Sequence, residues 1–230
     1  MSLILNIDTA SEQAHASLAE DGKVLHTLTN ESQKEHASFL QAGIQELTRS
    51  LGINLKDIDA VAVTAGPGSY TGLRVGMASA KGLCYALKKP LITIGTLEVL
   101  TASALQVFPT GSENFLYCPM IDARRMEVFT AIYKHDLTIH LSPCAMILDE
   151  LSFEKELLKN RIIFFGSGSA KWELICPDSY RDTNAAFETV AILPESMSSL
   201  SNSLFAEKKF TDLAYSEPLY LKEFQTVTKN

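Results

Sequence analysis

Residues 64–90, TAGPGSYTGLRVGMASAKGLCYALKKP, hold the densest chemical signal in the sequence. A glycine-rich turn between a strand and a helix N-terminus can cradle a phosphate on backbone N–H groups, aided by the helix dipole. Two standard versions of that turn are absent. No Gly-Lys-Ser/Thr follows, and Gly66, Gly68 and Gly72 are spaced G-x-G-x-x-x-G, not G-x-G-x-x-G. The blander alternative is a tight strand–helix turn. In the helix beyond, Gly72, Gly76 and Ala80 recur every four residues, and each glycine costs roughly 1 kcal/mol against alanine in a helix interior. Gly72, Gly76 and Gly82 in one helix therefore imply close backbone approach, by the preceding helix of the same lobe or by another chain. Leu73, Met77 and Cys84 extend an apolar stripe, with Arg74 and Lys81 beside it.

Other residues carry weaker signals. Asp8 and Thr9, with Ser11 close behind, follow an apolar run and could hold a nucleotide phosphate; ordinary turn chemistry explains them as well. His36 lacks the second histidine four residues on that a helical metal pair needs, since that position is Leu40. Asp122 with Arg124 and Arg125 could clamp a phosphate or carboxylate, or form a charged hairpin turn feeding Glu127. No combination assembles a nucleophile, a base and an orienting group. The sequence reading names no catalytic residue and no metal ligand.

The elements that position these residues follow from period and punctuation. Residues 3–8 suit a buried strand, and residues 14–20 and 23–29 a hairpin about Asp21-Gly22. Phe39, Leu40, Gly43, Ile44, Leu47 and Leu51 share one helical face, capped by Gly52. Strands are expected over 59–65 and 91–95, and helices over 71–87 and 96–108. Pro109-Thr110-Gly111-Ser112 is the best linker. The order then restarts, with strands over 115–122, 127–134 and 138–147, a helix near 149–159, a strand over 161–165 and weaker helical stretches. Ile7-Asp8-Thr9-Ala10 and Ile121-Asp122-Ala123-Arg124 close the first strand of each half, as in a degenerate duplication. The expectation is an α/β protein of two lobes with mixed sheets, residues 1–108 and a smaller 109–230 whose C-terminal segment, from Pro218, either packs on the second lobe or returns to the first, with ligands in the cleft between them.

The 230 residues are 46% hydrophobic and 20% charged, enough for a real core, which excludes intrinsic disorder. A net charge of −7 argues against gripping nucleic acid alone. Four cysteines, 26 to 34 residues apart and without a CxxC pair, read as core thiols. The apolar start is too short for a signal or a membrane span, so a cytoplasmic protein is expected.

These residues resemble the TsaB (YeaZ-type) family of bacterial tRNA threonylcarbamoyladenosine biosynthesis. The matching stretches are Ile7-Asp8-Thr9-Ala10-Ser11, residues 59–65, Gly66-Pro67-Gly68-Ser69-Tyr70-Thr71-Gly72-Leu73-Arg74, Ala80-Lys81-Gly82-Leu83, Asp122-Ala123-Arg124-Arg125 and Pro218-Leu219-Tyr220-Leu221-Lys222. The Gly66 to Arg74 motif is shared with the larger, glycoprotease-like TsaD group. The resemblance implies two ribonuclease-H-like lobes, as in actin, Hsp70 and sugar kinases, with the second reduced. It implies a non-catalytic subunit that binds and activates TsaD, which transfers a threonylcarbamoyl group to the tRNA adenosine beside the anticodon. The interface implied is the two helices of the first lobe, through Phe39, Leu40, Gly43, Tyr70, Gly72, Leu73, Gly76, Met77 and Ala80. A TsaE-type ATPase joins the assembly, the chain forms a homodimer when alone, and tRNA is met only through the complex. The chain itself requires no cofactor, although the complex can hold ATP or ADP, for which Asp8 and Thr9 are the phosphate candidates. No DNA or membrane partner is implied. The rival reading is an autonomous nucleotide-dependent hydrolase, phosphotransferase or glycoprotease-like enzyme with Asp8 and Asp122 across the cleft. His36-Ala37-Ser38 stands where the family usually shows His-Ser-Glu, a departure from the pattern.

Overall fold

The structure, a computed structural model, describes residues 1–32, 36–108, 115–181 and 183–222. The linker expected at residues 109–112 lies outside the described residues. The chain divides into two compact units, Met1–Thr110 with Val190–Pro218, and Gly111–Thr189 with Leu219–Asn230.

Unit 1 carries a five-stranded sheet of order β3-β2-β1-β4-β5. Its strands are β1 (Leu3–Asp8), β2 (Ala14–Glu20), β3 (Lys23–Asn30), β4 (Ala60–Gly66) and β5 (Leu91–Gly95). β1, β2 and β3 form an antiparallel meander, and β4 and β5 add in parallel. Asp21 and Gly22 both have positive φ, the geometry that lets a two-residue turn follow the strand twist. Two helices, α1 (His36–Leu51) and α2 (Tyr70–Leu87), cover one face of the sheet. Gly52, at φ 65, is the left-handed residue after α1. Leu40, Ile44, Leu47, Met77, Ala80 and Cys84 bury there against Leu5, Ile7, Val61 and Val63.

The opposite face presents Ile4, Ala60, Ala62, Ile92 and Ile94. α3 (Thr96–Val107) covers part of it, and α7 (Pro194–Ala206) covers the rest with Met197, Leu200 and Leu204. Asn6 Nδ2 donates to Ser198 Oγ, and the Leu193 N–H donates to Ser103 Oγ. The division expected at 108/109 therefore changes: Val190–Pro218 belongs with the first unit, because half of a buried sheet face would otherwise stay in water.

Unit 2 repeats the topology, with sheet order β10-β9-β6-β7-β8. β6 (Phe115–Asp122), β7 (Glu127–Tyr133) and β8 (Ile139–Ile147) form its meander, and β9 (Arg161–Phe165) and β10 (Ala185–Glu188) extend it in parallel. Three short helices accompany it, α4 (Glu154–Leu157), α5 (Ser169–Ile175) and α6 (Asp178–Arg181). Its core centres on Trp172, Phe164 and Phe153, whose rings meet at 5.2 to 6.2 Å. The helix expected over 149–159 is reduced to α4. Asp149 caps a turn by accepting from the Leu151 N–H, and Phe153 takes φ 63 as its ring enters the core. All four cysteines are free, and burial pushes the Cys84 thiol up to about 11.

Candidate functional site

The chemistry-bearing residues of unit 1 converge where β1 ends and α2 begins. Ser69 caps α2, its Oγ accepting from the Gly72 N–H at 3.3 Å. The helix starts against the backbone of Thr9 and Ala10. The Ser69 N–H donates to the Ala10 carbonyl, and Thr9 Oγ1 donates to the Gly72 carbonyl at 2.7 Å. A Cβ at Gly72 would overlap the Thr9 carbonyl oxygen, one at Gly76 the Thr9 hydroxyl, and one at Gly68 the Ala10 carbonyl. For Gly72 and Gly76 the close approach is therefore internal, between a helix and the end of a strand of the same unit.

That placement corrects the sequence-based interface. Gly72, Leu73, Gly76, Met77 and Ala80 are buried in unit 1, as are Leu40 and Gly43; an added Cβ at Gly43 would stand 3.3 Å from the Phe39 ring. These side chains face the chain's own sheet and have no surface to offer a neighbour. Only Phe39 and Tyr70 of the expected set keep accessible surface.

The opposite side of α2 is different. Arg74, Ala78, Gly82 and Ala86 form an exposed stripe at four-residue spacing, with Tyr85 alongside at 81% exposed. Gly82 has nothing within 4 Å of where a Cβ would stand, so no contact inside the described residues accounts for it. Ala37, Ser38, Gln41, Ala42, Gln45, Arg49 and Ser50 are the exposed positions of α1, which packs beside α2. The sequence held this second stripe too, but its inward twin has the same spacing.

Asp8 and Thr9 are 1% and 0% exposed. Asp8 Oδ1 accepts from the Ala10 N–H at 3.0 Å and from Thr64 Oγ1 at 2.8 Å, while Oδ2 has no partner among the described residues. With Thr9 bound to Gly72 and both side chains sealed, the pair does not fit a nucleotide phosphate. Burial raises the Asp8 carboxyl above its ordinary 3.8, against the lowering pull of those hydrogen bonds and of His15 and His36. His36 Nε2 sits 3.0 Å from the Glu12 carbonyl, and the site holds no second helical histidine. Because the folded-state value is raised, the stabilising contribution of Asp8 is fully present below pH 3.8 and is lost as pH climbs from there through the raised folded-state value. Asp8→Asn should therefore melt above the wild type at pH 8 and converge with it near pH 4. Parallel melting curves across that range would refute this account of Asp8.

In unit 2, Asp122 ends β6 and Lys171 of α5 holds it at 2.8 Å. Slight desolvation of this carboxyl is outweighed by hydrogen bonds from Lys171 and the Arg124 N–H, which leave it below its ordinary value. Asp8 and Asp122 belong to different units, and each has its own local partners, Thr64 for Asp8 Oδ1 and Lys171 for Asp122. Unit 2 also has an open cavity of about 760 Å³ beside Lys134, Lys159 and Arg161. Among the described residues, no group of three or more His, Cys, Asp or Glu side chains could hold a metal ion, and no helix is long and apolar enough to cross a membrane.

The family model of TsaD, tRNA N6-adenosine threonylcarbamoyltransferase, matches residues 23–216. The Escherichia coli (strain K12) tRNA threonylcarbamoyladenosine biosynthesis protein TsaB is 30% identical over 226 residues, covering 95% of this chain and 94% of that one. The chain belongs to the TsaB family. Its fold is that of a Pseudomonas aeruginosa protein with similarity to the peptidase YeaZ, at TM-score 0.82 and 23% identity, over 96% of this chain and 100% of the other. A polyphosphate/ATP-glucomannokinase from Arthrobacter shares it more distantly, at TM-score 0.50 and 11% identity, over 89% and 100%. The expected α/β fold with two ribonuclease-H-like lobes holds for this TsaB-family chain, each lobe built on one of the two five-stranded sheets.

Proposed function

We propose that this TsaB-family chain acts in tRNA threonylcarbamoyladenosine formation as a non-catalytic subunit that binds and activates a TsaD-type transferase. One observation carries the reading: α2 spends a helix-interior glycine, Gly82, on a side where none of the described residues comes within 4 Å of its Cβ position, between Ala78 and Ala86 and next to an exposed tyrosine. A stripe that thin admits a partner helix at close range. The match of the TsaD model to most of the chain supports a partner of related fold, whose own corresponding helices would face it. In the same reading, two copies of the chain meet through this face when the transferase is absent, and a TsaE-type ATPase joins the assembly. The chemistry resides in the partner, so the chain contributes a surface, not a reacting group.

The test is a transfer assay with purified proteins, an unmodified tRNA and the threonylcarbamoyl donor. The chain alone should give no modified adenosine, and the transferase should gain at least about tenfold when the chain is added. Modification by the chain alone, or a transferase indifferent to it, would refute the proposal.

A further inference from the structure

We infer that the turn joining β6 to β7 in unit 2 is a phosphate-binding point, where Arg124 and Arg125 grip the phosphodiester backbone of an RNA. This rests on the reading above that the chain serves tRNA modification. Arg124 and Arg125 are successive residues at φ 70 and 46, a left-handed conformation that glycine and asparagine adopt readily and long side chains rarely. The Glu127 N–H donates to the Arg124 carbonyl and the Ala123 N–H to the Glu127 carbonyl, while Asp122 Oδ1 accepts from the Arg124 N–H at 2.6 Å and Lys171 Nζ donates to the Glu127 carbonyl. None of these bonds needs a guanidinium. Two arginines thus occupy positions where their side chains do nothing for the turn and their backbones strain it, the signature of residues kept for what they touch.

Charge points the same way. The two acidic residues flanking the turn are already neutralised, Asp122 by Lys171 at 2.8 Å and Glu127 by Lys222 at 2.6 Å. Arg124 and Arg125 are exposed, and neither has an ion-pair partner among the described residues. The turn is therefore a local cationic point on a chain of net charge −7. Guanidinium forks match phosphate oxygens in pairs, and such contacts position a nucleic acid without reading its sequence. This agrees with an acidic balance that argues against gripping nucleic acid alone: net charge sets the long-range field, while two arginines without ion-pair partners among the described residues suffice for a contact inside an assembly.

The decisive variant is R124N combined with R125G, which places strain-tolerant residues in the turn and should fold at least as stably as the wild type. An unmodified tRNA transcript is titrated against the chain mixed with a TsaD-type transferase, and against the chain alone, at several salt concentrations. Loss of two phosphate contacts should flatten the slope of log K against log salt by about 1.4–1.8 and weaken binding roughly 15–30-fold at 0.15 M salt. The amount of heterodimer should not change. Equal affinity and equal slope would overturn the inference, as would a variant that loses the heterodimer instead, since the arginines would then serve a protein surface. If the wild-type proteins do not associate at all, the proposed function fails. The chain-alone titration then decides the turn, and RNA binding that is absent or unchanged by the variant overturns it.

Discussion

Replacing Gly72 with alanine should lower the thermal midpoint of the chain by about 10 °C, and Gly76→Ala by a comparable amount. The new Cβ at residue 72 overlaps the Thr9 carbonyl oxygen, which is backbone and cannot rotate aside. At residue 76 it overlaps the Thr9 hydroxyl, whose own bond to the Gly72 carbonyl would have to break. Relief requires α2 to lift from the end of β1, opening the cluster that holds Met77 and Ala80 against Ile7 and Val63. Overpacking of this kind costs about 1–3 kcal/mol or more, and α2 has no slack along either glycine. At about 2–4 °C per kcal/mol for a chain of this size, a loss near 3 kcal/mol gives the stated shift. Thermal melts of the two variants check it. Midpoints within about 2 °C of the wild type would mean that α2 does not rest on Thr9 as described.

That expectation departs from the interface that the family resemblance implies for the same glycines, and the reason is physical. Residues 72, 76 and 80 and residues 78, 82 and 86 are both small and both recur every four positions. Periodicity locates two thin stripes on opposite sides of α2 and cannot say which faces the sheet. Thr9, distant in sequence, decides it. The first nine strands and the first three helices were legible because their periods and punctuation, such as Asp21-Gly22 and Gly52, are local, whereas the four-residue β10 fell among stretches read as weakly helical. α7 escaped individual assignment, since its serine-rich sequence shows little apolar period and its role is to cover a face built more than ninety residues earlier. The arginine turn was legible as a charged hairpin feeding Glu127 or a clamp for phosphate or carboxylate, but Arg-Arg carries no signal for positive φ, which is visible only in the backbone.

The outward stripe carries the second large effect. Gly82→Trp adds its ring to open space, so the chain should fold with an unchanged or slightly raised midpoint, because a glycine has left a helix interior. The same ring would stand between Ala78 and Ala86 and prevent a partner helix from approaching. A loss of close packing across the centre of an interface amounts to at least about 3 kcal/mol, or more than a hundredfold in dissociation constant. Gly72→Ala and Gly82→Trp thus separate the two stripes: one destabilises the chain, the other leaves it as stable as before and alone. The most direct measurement is sedimentation velocity of the wild type and of Gly82→Trp, each mixed with a TsaD-type transferase at micromolar concentration. A heterodimer boundary for the wild type and separate monomer boundaries for the variant are predicted. A heterodimer that forms equally well with tryptophan at residue 82, or no association by the wild type, would contradict the account.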